Sequence, residues 1–268
     1  MRTDGPSLAC VQSSSSHRSR TLEETAVHDD RVAGPGGRTV VVIGGTSGIG
    51  AAIAGRFAAD GDHVVAAGLD AGSAGRELPE DVKRVELDVR REDELRVFLG
   101  SFGELHVLIN AVGIVARGRE FESEVFADVV GVNLTGTMRS CLAAREALAG
   151  SGGCIVNIAS MLSFFGGGRV PAYSASKGGV LQLTKSLAVA WADEGIRVNA
   201  VAPGWIRTGL TRELHESAET SRRIIDRTPM GRWGTPADIA GAVSFLAGPD
   251  AAFITGAVLA VDGGYLAA

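Results

Sequence analysis

The chain has 268 residues, 45% apolar and 21% charged, which excludes a mainly disordered protein and leaves ample material for a buried core. Twenty-six basic against thirty-one acidic residues give a formal charge of −5, so no global electrostatic footprint for nucleic acid is present. No apolar run reaches the length of a bilayer and the N-terminus lacks the apolar stretch of a secretory signal, so a cytoplasmic protein is expected.

Residues 1–37 hold a serine run at 13–16 and a Gly-Pro-Gly-Gly stretch at 34–37, with little apolar periodicity. Such a stretch buries too little surface to offset its ordering entropy, so a flexible extension is expected, followed by one folded domain over 38–268. From Thr39 onward, short apolar runs alternate with helical stretches. Residues 40–43, 63–67, 82–87, 106–110, 154–159, 196–201 and 258–261 read as seven strands. Several are continuous rather than alternating apolar runs, as expected where both sheet faces are covered. Helices are predicted near 48–59, 91–101, 122–149, 173–194 and 235–247, while the Gly- and Ala-rich link between the second and third strands makes a helix there doubtful. Strand–helix alternation implies a single α/β domain with a doubly wound, seven-stranded parallel sheet.

Cys10, Cys141 and Cys154 lack CxxC spacing, which argues against a disulfide framework and a zinc site and favours reduced, structural thiols. The histidines at 17, 28, 63, 106 and 215 have no paired ligand spacing, so no catalytic metal is expected.

Directly after the first strand comes Gly44-Gly45-Thr46-Ser47-Gly48-Ile49-Gly50, opening a helix. Glycines at 44, 48 and 50 allow a sharp turn and close approach of backbone to a bound group. The helix start offers unpaired N–H groups and a positive dipole end to a pyrophosphate, and Thr46 and Ser47 can add hydroxyl donors. The second strand ends in Ala66-Ala67-Gly68-Leu69-Asp70. An acid near that position suits ribose hydroxyls, and no arginine stands there for a 2′-phosphate, so the reading leans to NAD over NADP.

A second signal is Tyr173-Ser174-Ala175-Ser176-Lys177 in a chain with two tyrosines. On a helix, residues four apart share a face, so phenol and ammonium can act on one bound group. A free phenol has a pKa of about 10, and bringing it to about 7 takes on the order of 4 kcal/mol of preferential stabilisation of the phenolate. Lys177 and an oxidised nicotinamide are expected to supply that, leaving Tyr173 to move the proton as hydride leaves or arrives. Ser160, at the end of the fifth strand, is placed to hydrogen-bond the reacting oxygen.

With these motifs in hand, residues 38–268 are identified as similar to the short-chain dehydrogenase/reductase family, of the TGxxxGxG and YxxxK type, which implies a Rossmann-type domain. Residues 43–50 stand for its cofactor turn, with Ile43 in place of the family's threonine, and Asn110-Ala111-Val112-Gly113 stands for its Asn-Asn-Ala-Gly. The resemblance implies that Asn133 holds a water in a proton relay, completing a tetrad with Ser160, Tyr173 and Lys177. It further implies that Asp88 and Val89 contact adenine, that Thr208, preceded by Ile206, binds the nicotinamide carboxamide, and that Asp262-Gly263-Gly264 is the C-terminal signature. The expected cofactor contacts are therefore Gly44, Thr46, Ser47, Gly48, Ile49, Gly50, Leu69, Asp70, Asp88, Val89, Asn110, Tyr173, Lys177, Ile206 and Thr208. A homotetramer or homodimer is also implied.

Residues 159–171 and Gly231-Arg232-Trp233-Gly234 resemble the family's sugar-acid dehydrogenases that act on deoxy-ketogluconates. The resulting expectation is an NAD(P)-dependent oxidoreductase interconverting a secondary alcohol and a ketone. Residues 160–172 and 205–230 are expected to form the pocket, the latter as a mobile lid, with Arg169 or Arg207 holding a substrate carboxylate. The alternative is a ketoreductase for a polyketide or another carrier-bound metabolite, docking through Arg212, Arg222, Arg223 and Arg227. A cofactor-sensing regulator without turnover is a third reading, opposed by the intact catalytic set.

Overall fold

The computed structural model describes residues 37–72 and 78–268; the expected N-terminal extension lies outside them apart from Gly37. Seven strands form one sheet: β1 (Thr39–Ile43), β2 (His63–Gly68), β3 (Lys83–Glu86), β4 (Val107–Asn110), β5 (Cys154–Ile158), β6 (Arg197–Pro203) and β7 (Val258–Val261). Their order is β3-β2-β1-β4-β5-β6-β7, and every pairing is parallel. The chain runs outward from β1 in one direction and restarts from β4 in the other, which leaves a crevice at the carboxyl ends of these two strands.

The continuous apolar runs are explained by burial on both faces. Val40 and Val42 of β1 pack with α1 (Gly48–Ala59) and α8 (Pro236–Ala247) in one cluster. Val41 and Ile43 of the same strand pack with α2 (Glu92–Gly100), α4 (Gly136–Ser151) and α5 (Pro171–Ala190) in the other. Successive side chains point to opposite faces, so one unbroken valine run feeds two cores.

Two expectations change. The single helix predicted over 122–149 is two helices, α3 (Ser123–Val130) and α4, joined by a π turn at Gly131–Thr135. Helix α5 starts earlier than predicted, at Pro171, because proline lacks the N–H that the first turn leaves unpaired. Residues 205–230, expected as a mobile lid, hold α6 (Arg212–Glu216) and α7 (Ala218–Arg227). Short helices of this kind carry too few periodic positions to stand out in a sequence. The link between β2 and β3 has no helix among the described residues.

Cys141 and Cys154 are free and buried, and burial pushes the Cys141 thiol up to about 12. Both are inert core groups, as expected; Cys10 lies outside the described residues. No group of three or more His, Cys, Asp or Glu among the described residues could hold a metal ion. No described helix is long and apolar enough to cross a membrane.

Candidate active site

The glycine turn is built by close approach. A Cβ at Gly44, whose φ is 79°, would meet the Val112 backbone nitrogen at 2.6 Å, and one at Gly50 would run into the Gly44 carbonyl. The turn therefore packs against the chain leaving β4 on one side and against its own helix on the other. Ser47 is the N-cap of α1, but its exposed side chain makes no cap hydrogen bond, so its hydroxyl is left for a ligand at the positive end of the helix. The site fits a dinucleotide's pyrophosphate. Thr46, expected to donate there, instead gives its hydroxyl to the Leu69 carbonyl at 3.0 Å and ties the turn to the end of β2. On the far side, the Thr208 side chain lies 3.6 Å from where a Gly48 Cβ would sit. That brings the predicted nicotinamide-side residue to the glycine turn, while Ile206 beside it is core.

At the end of β2, Leu69 is half exposed and Asp70 takes a positive φ of 56°. The turn is held by Glu86, which accepts the Asp70 N–H at 3.1 Å and the Ala71 N–H at 2.8 Å. Sequence reading missed Glu86, because a lone acid in an alternating edge strand reads as solvated surface. Asp88 pairs with Arg90, whose guanidinium holds its carboxyl below the usual range. Val89 packs against α4 at Gly136. Asn110 turns its side chain into the sheet, donating to Asn157 at 2.9 Å, so its expected cofactor contact is left to its backbone.

The four predicted catalytic residues come together at the carboxyl ends of β4 and β5. Asn133 sits in the π turn and is fully buried. Its Oδ1 accepts the Ile114 N–H at 2.8 Å, and its Nδ2 donates to the Ile114 carbonyl at 3.0 Å and to Ser176 Oγ at 3.1 Å. One carboxamide thus clamps the chain leaving β4 to α5. Lys177 is buried and donates from Nζ to the Ile158 carbonyl at 2.7 Å. A Cβ on Gly113 would stand 3.4 Å from that Nζ and 3.7 Å from Asn133 Oδ1, which is why the loop needs glycine there. Ser160 both caps the 3₁₀ turn Met161–Ser163, accepting the Leu162 N–H at 3.1 Å, and hydrogen-bonds the Tyr173 phenol.

Desolvation pushes the Tyr173 phenol up from its usual value, opposed by its bond to Ser160 and by the charge of Arg117. Lys177 lies 5.9 Å from the centre of the Tyr173 ring, over its face. It is itself pushed down to about 8 by burial.

Two residues at this site were not foreseen. Glu120 is fully buried and accepts the Ala116 N–H at 2.9 Å and the Tyr173 N–H at 2.8 Å, fastening the 114–122 loop to the start of α5. Arg117, half buried, donates to the Leu210 carbonyl at 3.0 Å across the crevice. Neither belongs to a motif or a periodic face; only the tertiary fold brings them to Tyr173.

Above the crevice, Phe165, Trp205, Trp233 and Tyr265 form a chain of aromatic contacts, with Arg227 4.2 Å over the Tyr265 ring. Trp205, Met230 and Gly263 help line a cavity of about 150 Å³ beside it. The arginines of α7 are already engaged: Arg222 with Asp226, Arg223 with Glu219, Arg227 with the aromatic chain.

The chain is similar to known proteins over most of its described length. A family model described as Enoyl-(Acyl carrier protein) reductase matches residues 44–266. An uncharacterized short-chain type dehydrogenase/reductase of Sinorhizobium fredii is 42% identical over 250 residues, 89% of this chain but 45% of that protein, so the chain spans under half of its length. The 2-dehydro-3-deoxy-D-gluconate 5-dehydrogenase of Escherichia coli is 42% identical over 188 residues, 67% of this chain and 74% of that one. Among solved structures, a putative 2-deoxy-D-gluconate 3-dehydrogenase from Agrobacterium tumefaciens with bound NADP superposes with a TM-score of 0.78 at 40% identity, covering 87% of this chain and 97% of that one.

Proposed function

The chain belongs to the short-chain dehydrogenase/reductase family, and from that premise we propose that it oxidises one secondary hydroxyl of a six-carbon sugar acid to a ketone, or reverses that step, with NAD as its preferred cofactor. It is an NAD(P)-dependent dehydrogenase of CH–OH donors, in common with relatives named for that chemistry. The observation that carries the catalytic reading is the convergence of Ser160, Tyr173, Lys177 and Asn133 at one end of the sheet.

The bound nicotinamide supplies or accepts the hydride. The chain's own residues handle the oxygen and its proton. Ser160 donates a hydrogen bond to the substrate oxygen, and Tyr173 exchanges the hydroxyl proton with it. With its phenol pushed up by desolvation, Tyr173 is held in the protonated form from which carbonyl reduction starts. Oxidation needs the phenolate, which the Ser160 bond and the Arg117 charge favour. Lys177 would hold the cofactor ribose, and Asn133, whose carboxamide is taken up by Ile114 and Ser176, would serve the link to solvent through its backbone.

The NAD preference rests on Asp70 and Glu86 at the end of β2, where a 2′-phosphate would meet two carboxylates. We read the enzyme as cytoplasmic and as a homotetramer or homodimer. Exposed Val97 and Leu142 on α2 and α4 support a subunit contact.

The deciding experiment follows nicotinamide absorbance with NAD and NADP separately, over sugar acids, polyols and bulky cyclic ketones. Turnover of a gluconate-type acid with a kcat/KM at least ten times higher for NAD is expected. Activity confined to hydrophobic ketones would remove the sugar-acid reading, and a preference for NADP would remove the cofactor assignment.

A further inference from the structure

We propose that Ser163 is a positioning residue that fixes the spacing between Ser160 and Lys177, and so between the substrate oxygen and the cofactor; this rests on the roles read above for those two residues. One hydroxyl joins the two segments. Ser163 Oγ accepts the Ser160 N–H at 3.3 Å and donates to the Lys177 carbonyl at 2.7 Å. Its own N–H returns to the Ser160 carbonyl at 2.9 Å. The Ser160 hydroxyl accepts the Leu162 N–H, which completes a reciprocal capping box on the 3₁₀ turn. Lys177 is therefore held twice by the end of β5. Its Nζ bonds the Ile158 carbonyl at 2.7 Å, just before Ser160, and its own carbonyl takes the Ser163 hydroxyl just after it.

Helix α5 does not need this bond. Lys177 lies inside the helix, where a carbonyl already faces the N–H four residues on. What the bond adds is a fixed distance between two elements. The single proton of the Ser163 hydroxyl is engaged by Lys177, so none is left to donate to a substrate, and the residue acts through its neighbours. A related arrangement beyond the end of β6 shows what is particular here. Thr211 Oγ1 accepts the Thr208 N–H at 3.1 Å and donates to the Ile206 carbonyl at 2.6 Å. That bond stays within its own turn, whereas the Ser163 bond crosses to a different element, 14 residues on. Hydride passes between a substrate oriented by Ser160 and a nicotinamide whose ribose Lys177 would hold, and a displacement of about 1 Å costs on the order of 100-fold in rate.

The test compares Ser163→Ala with wild type, using D-gluconate and NAD for turnover and NADH fluorescence for cofactor binding. The variant keeps every group that touches substrate or cofactor, so KM and the Kd for NADH should stay within about threefold of wild type. Only the spacing is lost, so kcat should fall about 20-fold or more. Ser163→Thr, with its hydroxyl in the form that Thr211 uses, should bring kcat back to within a few-fold of wild type. An unchanged kcat in Ser163→Ala, a loss carried by KM or by the Kd for NADH, or a Ser163→Thr no better than Ser163→Ala would each overturn the assignment. Should Ser163→Ala fail to fold, Ser163→Cys, a weaker donor of similar shape, takes its place with the same outcomes. Ser160→Ala and Lys177→Met separate the readings. Activity that survives in either removes the catalytic reading and this assignment together; loss in both beside an unchanged Ser163→Ala removes the assignment alone. If wild type does not oxidise D-gluconate, the alcohol of the panel above that it oxidises fastest is used, so the sugar-acid reading can fail by itself.

Discussion

Around Asn133 and Lys177 the floor of the site spends its polar atoms on buried protein partners, whereas the roof over the crevice is held chiefly by ring contacts among Phe165, Trp205, Trp233 and Tyr265. Asn133 makes three side-chain hydrogen bonds to two segments, and Lys177 bonds a strand carbonyl from a buried position. By contrast, the roof's Met230 is exposed, and Arg227 reaches over Tyr265 from an exposed helix face. The difference teaches where precision is needed. Proton transfer tolerates little displacement, so its groups are locked by satisfied hydrogen bonds; admission of a substrate requires a cover that yields.

The comparison predicts large functional effects in the floor and small stability effects in the roof. Tyr173→Phe should lower kcat about 1,000-fold while leaving cofactor binding intact, since it deletes one proton donor from an otherwise unchanged scaffold. Residual turnover within tenfold of wild type, measured by nicotinamide absorbance, would show that the floor is not the reaction centre.

Lys177→Met sharpens the contrast through pH. The folded chain holds the lysine at about 8 against an ordinary 10.5, so between those values the unfolded chain binds a proton that the folded one does not. Stability from this group therefore rises with pH across that window, and below pH 8 the buried charge carries its full cost. The variant without cofactor should be more stable than wild type by on the order of 2 kcal/mol at pH 7. That advantage should shrink steadily toward pH 10. Denaturant melts across this range check it, and a difference that does not change with pH contradicts the picture. Activity should be lost at every pH.

Arg227→Leu addresses the roof. An exposed cation over an aromatic ring contributes about 0.5–1 kcal/mol, so the melting temperature should fall by roughly 2–4 °C. A collapse of the fold would show the roof to be as tightly built as the floor.

Legibility in the sequence divides between local pattern and tertiary packing. The doubly wound sheet could be read because strands buried on both faces leave continuous apolar runs, as β1 and β5 do. The glycine turn and the tyrosine–lysine pair could be read because their spacing is set by local backbone geometry. The π turn could not: the glycines, Asn133 and Thr135 of residues 131–136 mark a weak stretch of helix, but composition does not show that the turn is widened there. Glu120 and Arg117 could not, since a charged residue in a loop gains meaning only from what tertiary packing sets against it. Thr46 reads as a phosphate donor for a related reason: nothing local shows that its hydroxyl takes a backbone partner 23 residues away.

The π turn at Gly131–Thr135 also acts as a change of phase. Each residue of an α-helix turns the chain by about 100°, so one extra residue in a turn rotates the upstream helix by that angle relative to the downstream one. Upstream of it α3 buries Val129, and downstream α4 buries Ser140, Cys141, Ala144 and Leu148. A shortening by a single residue inside the turn would tidy the helix and swing the Asn133 carboxamide off the loop it clamps. The chain keeps an irregularity in its backbone as the means of aiming one side chain.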